Sequence, residues 1–296
     1  MTINNSKLIV ILGPTSSGKS ALGVKLTKRF NGEVISADSR QAYKGLDLAS
    51  GKITKKEMRG VIHYCLDEVD PKTYYTVAHF KKSALKAIKK IRAKNKIPFI
   101  VGGTAFYIKA ITDNIFVPEV PPDWKLRKHL EKKSAYELFK MLKKLDPRRT
   151  RTIEAKNKRR LIRAIEIVRS ANKSVPPEVK NGNRNVLFIG IKIGGKILKK
   201  KIEKRLDERL KKGMAAEIKK LHADGVSWKR LDELGLEPRW INRFLQKKIT
   251  KEEMRTKLLR DIFRFVKHQY TWWKKEKRIH WIRSGKEAER LIKKFI

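Results

Sequence analysis

The chain has 296 residues, 40% hydrophobic and 35% charged, enough apolar material for one large domain or a core with an insert. A single cysteine, Cys65, excludes a disulfide framework and a cysteine-based zinc module, and no apolar stretch approaches a membrane span. No basic-then-apolar leader opens the chain, so a cytoplasmic location without a membrane partner is expected. The net charge of +44 is spread along the whole chain and suits a polyanionic partner, although a lysine-rich solvated surface would leave the same composition.

Residues 7–12 read as a buried strand, and residues 18–30 as a helix. Between them Gly13, Pro14, Thr15, Ser16, Ser17, Gly18, Lys19 and Ser20 fit G-x-x-x-x-G-K-[ST]. In such a nucleotide- or diphosphate-binding loop the backbone N–H groups, the helix N-terminus and the lysine all point at phosphate oxygens. Ser20 would hold a Mg²⁺ ion that bridges them. A merely tight strand-to-helix turn does not need the Lys19-Ser20 pair.

A second strand, 33–37, stops at Asp38 in "ADSRQAY"; a basic amphipathic helix covers 79–95; a third strand, 97–101, breaks at Gly102-Gly103. This alternation predicts an α/β fold of the P-loop NTPase type, a parallel sheet flanked by helices with ligands at the strands' C-terminal ends. Pro118, Pro121 and Pro122 mark a boundary, and "KSVPPEVKNGNRN" marks another. Residues 118–184 are therefore read as a basic helical insert in a catalytic core made of 1–117 and 185–296. "NVLFIGIKI" reads as a strand returning to the first sheet. The remainder reads as helical, interrupted at "DGVSWKRLDELGLEP".

The loop alone leaves the chemistry open. Nucleotide hydrolysis usually needs a strand-end acid to support Mg²⁺, and "PFIVGGT" has none. Asp38 is the one acid at a strand end, a turn former or helix cap on one reading. Beside Ser39, Arg40, Gln41 and Tyr43 it also reads as a site residue. A P-loop small-molecule kinase accounts for the first 110 residues but not for the insert. A nucleotide-switched RNA-binding ATPase lacks its strand-end acid.

The phosphate loop, "DSRQAY" and "GGTAFY", in this order and spacing, resemble the tRNA dimethylallyltransferases. "GLDLASGK" is similar to that family's D-I-G-T-A-K and "IHYCLDEVDP" to its H-H-L-x-D-x-x-D-P. "NKRRLIRAIE" matches N-x-x-R-x-x-R-A-L-E, and "EKRLDERLKKGMAAEI" matches R-x-x-x-M-x-x-x-G-x-x-E-E. "KHQYTWWKK" is like R-Q-x-T-W-F-R. The departures are Tyr64 for the second His, Lys158 for the Asp after Asn157, "GTAFY" for G-T-G-L-Y, and "LGLEP" for I-G-Y-[KR].

The resemblance implies transfer of a dimethylallyl group from dimethylallyl diphosphate to the adenine 3′ of a tRNA anticodon, by a monomer using Mg²⁺. It implies that the phosphate loop and Lys19 hold the diphosphate and that Ser20 holds the metal. Asp38 becomes the general base, Arg205 stabilises the departing charge, and Thr104 lines the channel. Gln41, with a donor and an acceptor, can read an adenine edge. Ser39, Arg40, Arg127, Arg159, Arg160, Arg163 and Gln269 join Asp38, Gln41 and Thr104 as expected tRNA contacts. Trp272 and Trp273 are candidates for stacking on RNA, with core burial expected for at least one.

Overall fold

The computed structural model describes residues 7–118, 120–171 and 185–296. Six strands form one parallel sheet: β1 Leu8–Leu12, β2 Gly32–Ala37, β3 His63–Tyr64, β4 Ile97–Gly102, β5 Val186–Ile191 and β6 Ile279–Ile282. Their order is β3-β2-β4-β1-β5-β6. Both faces of the sheet are covered, so its strands read as continuous apolar runs. Leu8, Val10, Leu12, Ile35, Ile100 and Phe188 serve one core. Ile9, Ile11, Val34, Phe99, Val101 and Ile189 serve the other, beneath Leu26, Ala288 and Ile292.

The register decides where the chemistry lies. Leu12 pairs with Gly102, and Gly102 with Ala37, so the three central strands end level with one another. The phosphate loop, Asp38 and Gly103-Thr104 therefore leave the sheet at one edge, the carboxyl ends that open α/β sheets present to ligands.

The chain divides into two compact units, Met1–Thr112 with Asn183–Ile296, and Asp113–Gly182. The second starts a few residues before the prolines read as its boundary, because the helix Ala105–Thr112 ends the catalytic layer. Its helices Trp124–Leu130, Ala135–Leu145 and Lys158–Ala171 close on a separate core of Leu130, Leu138, Leu142, Leu161 and Ile165.

Two stretches differ from expectation. The "DGVSWKRLDELGLEP" interruption is largely helical: Ser227 caps Trp228–Leu234, and Leu236–Leu245 follows after Gly235 alone. The C-terminal part also contains a strand, β6, which extends the sheet beyond β5. The expected basic helix begins at Val77 because Thr76 and His79 form a reciprocal cap.

Candidate active site

The phosphate loop is built by backbone conformations that its residues favour. Gly18 takes φ +89°, a left-handed geometry that costs glycine little, and it opens the helix Lys19–Arg29. A Cβ at Gly13 would lie 2.9 Å from the Ser17 hydroxyl oxygen. That buried hydroxyl has no partner among the described residues. The Lys19 ammonium makes one long contact, 3.4 Å to the Pro14 carbonyl. Burial pushes Lys19 down to about 8, with Asp38 raising it and Arg205 lowering it further. A lysine in that state gains an anion readily, since the anion restores its charge.

The loop opens onto a narrow cleft lined by Lys19, Ser20, Ser36, Asp38, Gln41 and His63, with Val34, Ile53 and Val101 as an apolar wall. At Asp38 one carboxylate oxygen accepts the Arg40 N–H at 2.9 Å, so the residue does form a turn. The other oxygen accepts no hydrogen bond among the described residues, and Asp38 faces the cleft with Lys19. The turn leaves the carboxylate on the cleft. Thr104 joins two strand ends: its N–H donates to the Ala37 carbonyl at 3.1 Å, and its hydroxyl accepts the Ser39 N–H at 3.2 Å. Gln41 is held by both ends of its amide. The Ser36 hydroxyl donates to its oxygen at 3.2 Å, and its nitrogen donates to the Gly51 carbonyl at 3.3 Å. Arg205 donates to the same carbonyl at 3.0 Å.

Three residues of the expected tRNA-contact set make bonds inside the protein. Gln269 is only 6% exposed. It accepts the Thr15 N–H at 3.0 Å and donates to the Gly103 carbonyl at 3.2 Å, which pins the phosphate loop to the end of β4. Arg127 forms a two-pronged bond to Glu166 at 2.8 Å on each arm. Arg163 pairs with the same carboxylate and donates to the Val120 carbonyl at 2.9 Å. Glu166 is fully buried, and a buried carboxylate claims whatever guanidinium can reach it. Arg159 and Arg160 are exposed, the latter beside Glu154 at 3.4 Å. Trp273 is buried and Trp272 is 40% exposed.

Several residues of the site were not singled out in the sequence. Glu217 accepts the N–H groups of Asp47, Leu48 and Ala49 at 3.0, 2.6 and 2.9 Å. Lys52, its side chain 6% exposed, donates to the Tyr43 carbonyl at 2.9 Å and bonds Asp47 and Asp67. Arg209 grips the carbonyls of Leu48 and Ala49 at 3.0 and 3.3 Å. Together they shape the segment that presents the Gly51 carbonyl. The available signal was the "GLDLASGK" match, which marks the segment but not what holds it. His63 lines the cleft at the edge of β2, and burial lowers its pKa. Tyr64, which stands where a second His was expected, donates to buried Glu33 at 2.7 Å.

The IPP transferase family model matches residues 41–276. The chain belongs to the IPP transferase family. A tRNA dimethylallyltransferase of Carboxydothermus hydrogenoformans is 37% identical over 99% of this chain and 97% of its own length. The IPP transferase of Bacillus halodurans, a solved tRNA isopentenylpyrophosphate transferase, superposes with a TM-score of 0.72 at 31% identity, covering 98% of this chain and 94% of that one. A eukaryotic dimethylallyltransferase solved acting on tRNA superposes at 0.78 with 26% identity, covering 94% of this chain and 74% of that one. As in these IPP transferases, a P-loop NTPase-like parallel sheet carries the site. No helix among the described residues is long and apolar enough to cross a membrane.

Proposed function

We infer that this IPP transferase moves a dimethylallyl group from dimethylallyl diphosphate to the exocyclic amine of the adenine 3′ of a tRNA anticodon. The observation that carries the reading is the level ending of β1, β2 and β4. It gathers a phosphate loop, a carboxylate and an apolar wall around one cleft. Loop amides and Lys19 suit the diphosphate; Val34, Ile53 and Val101 suit the prenyl chain.

In the reaction the carbon–oxygen bond of the donor breaks, a carbon–nitrogen bond forms, and diphosphate departs. Negative charge grows on the leaving oxygens, where Lys19, the loop amides and Arg205 stabilise it most in the transition state. The amine loses its proton to Asp38, whose second oxygen is free to take it. Gln41, fixed by Ser36 and Gly51, offers its remaining donor and acceptor to the adenine edge. A stacked base cannot enter such a cleft, so the adenine is extruded.

The residues present fit Mg²⁺ of the phosphate-loop kind. No cluster of three or more His, Cys, Asp or Glu that could hold a metal occurs among the described residues, and such an ion needs none. Ser20, on the cleft, would hold it together with the substrate's phosphate oxygens. When bound it adds charge neutralisation at the diphosphate.

The exposed Arg159 and Arg160 and the chain's net positive charge suit contact with the anticodon stem-loop. The same reading has the chain acting as a monomer in the cytoplasm. Incubation with tRNA and labelled dimethylallyl diphosphate, without ATP, tests it. Label in the RNA is the expected result. No label in the RNA would favour a kinase or a nucleotide-switched protein.

A further inference from the structure

Beside Arg205 lies a second arginine that the family motif does not contain. Laid on residues 205–217, R-x-x-x-M-x-x-x-G-x-x-E-E puts its R at Arg205, its G at Gly213 and its final E at Glu217. Its M falls on Arg209. The motif I-G-Y-[KR], laid on "LGLEP", puts its basic residue at Glu237. Both departures reverse or add charge, and they meet. Arg209 Nη2 donates to Glu237 Oε1 at 2.8 Å, with the two side chains 13% and 18% exposed.

The pair is not isolated. Through Nη1 Arg209 also holds the Leu48 and Ala49 carbonyls, three and two residues before the Gly51 carbonyl that Arg205 and Gln41 share. Its Nε–H is buried without a partner among the described residues, so the side chain is placed by the ion pair and the carbonyl fork. Left alone, Glu237 would put a half-buried anion next to the arginine that faces the departing diphosphate. Arg209 and Glu237 both act on Arg205 electrostatically, with opposite signs.

We propose that Arg209 and Glu237 form a charge-exchanged positioning pair: position 209 supplies the cation that the motif carries at position 237, so that Arg205 and the Leu48–Gly51 segment keep their charge and arrangement at the diphosphate. The proposal rests on the prenyl-transfer reading for the identity of the anion. A methionine at 209 and a lysine at 237 are the motif's own solution to the same site. Either change alone gives an unmatched charge; both together rebuild that solution.

The experiment is a double-mutant cycle on Arg209→Met and Glu237→Lys. It is read as donor kcat and KM with tRNA and, separately, as affinity for inorganic diphosphate by titration calorimetry. Displacement of an anion-binding group by about 1 Å can cost ~10²-fold in rate. Each single variant should therefore lose at least ~10-fold in both readouts, and the double variant should return to within ~3-fold of the parent. A double variant no better than the worse single overturns the pair. Label transfer by the parent chain tests the function itself, and the diphosphate cycle is read without it.

Discussion

Two glutamates, Glu166 buried in the unit 113–182 and Glu217 half-buried in the catalytic unit, are satisfied in opposite ways. In the unit 113–182, Glu166 is met by two guanidinium groups and one backbone N–H. In the catalytic unit, Glu217 is met by three backbone N–H groups and by no cation within bonding distance among the described residues. Charges hold the first, and dipoles hold the second. The first arrangement ties the helices Trp124–Leu130 and Lys158–Ala171 together through Arg127 and Arg163. The second shapes a segment beside the site without drawing a cation into the bond. Burial acts to raise both carboxyls. In Glu166 the arginines prevail and its pKa is lowered; in Glu217 burial prevails and its pKa is raised.

The sharpest break between the units is in rate. Asp38→Asn keeps the turn at Arg40, because asparagine forms the same turn. If Asp38 is the proton acceptor, the change removes it, and the single-turnover rate with saturating tRNA should fall by about 10²–10⁴-fold. A variant within a few-fold of the parent would leave Asp38 as a turn former only.

Next in size is the stability of the insert. Glu166→Gln leaves Arg127 and Arg163 without their counter-charge, and breaking such a pair costs about 3 kcal/mol. Denaturant unfolding followed at Trp124, with the other tryptophans replaced, should show that loss. An unchanged midpoint would mean the two arginines find solvent at no cost.

The pH dependence should separate the two glutamates by sign. Glu166 has a folded pKa below its unfolded value, so its contribution is present above about 4.5 and fades as pH falls through the folded value. Glu217 has a folded pKa above its unfolded value, so its contribution is full in acid and declines as pH rises through the folded value. Between about pH 6 and 3 the Tm gap between parent and Glu166→Gln should narrow. The gap for Glu217→Gln should not narrow. Parallel trends would erase the distinction between charge and dipole.

The smallest effect is on RNA. Arg163 belongs to Glu166, so the exposed Arg159 and Arg160 are the residues to change. Replacing both by alanine should lower the slope of log affinity against log salt by about one unit for each phosphate no longer neutralised. A slope equal to the parent's would place them on an ordinary solvated face.

Much of this was legible in local sequence because it rests on local rules. The phosphate loop needs its glycines and its Lys-Ser pair in a fixed order. β1, β2 and β4 are apolar runs ended by Gly13, Asp38 and Gly103, and the prolines near 118 announce a change of texture. Asp38, Thr104 and Arg205 could be named because short motifs travel with them. The rest depends on partners distant in sequence. β3 and β6 are too short to carry a pattern, and they become strands only by pairing with Val34-Ile35 and Phe188–Ile191. Gln269 sits in a basic, RNA-like stretch, yet it turns inward because Thr15 and Gly103, more than 160 residues away, need its amide. That Arg127 and Arg163 share Glu166 as a partner is visible only once the helices are packed. Arg209 and Glu237 are separate oddities along the chain and become one ion pair only in three dimensions. Periodicity and turn chemistry are written in neighbouring residues, so sequence determined them. Which buried acid meets which base depends on burial and distance, and tertiary packing alone decided that.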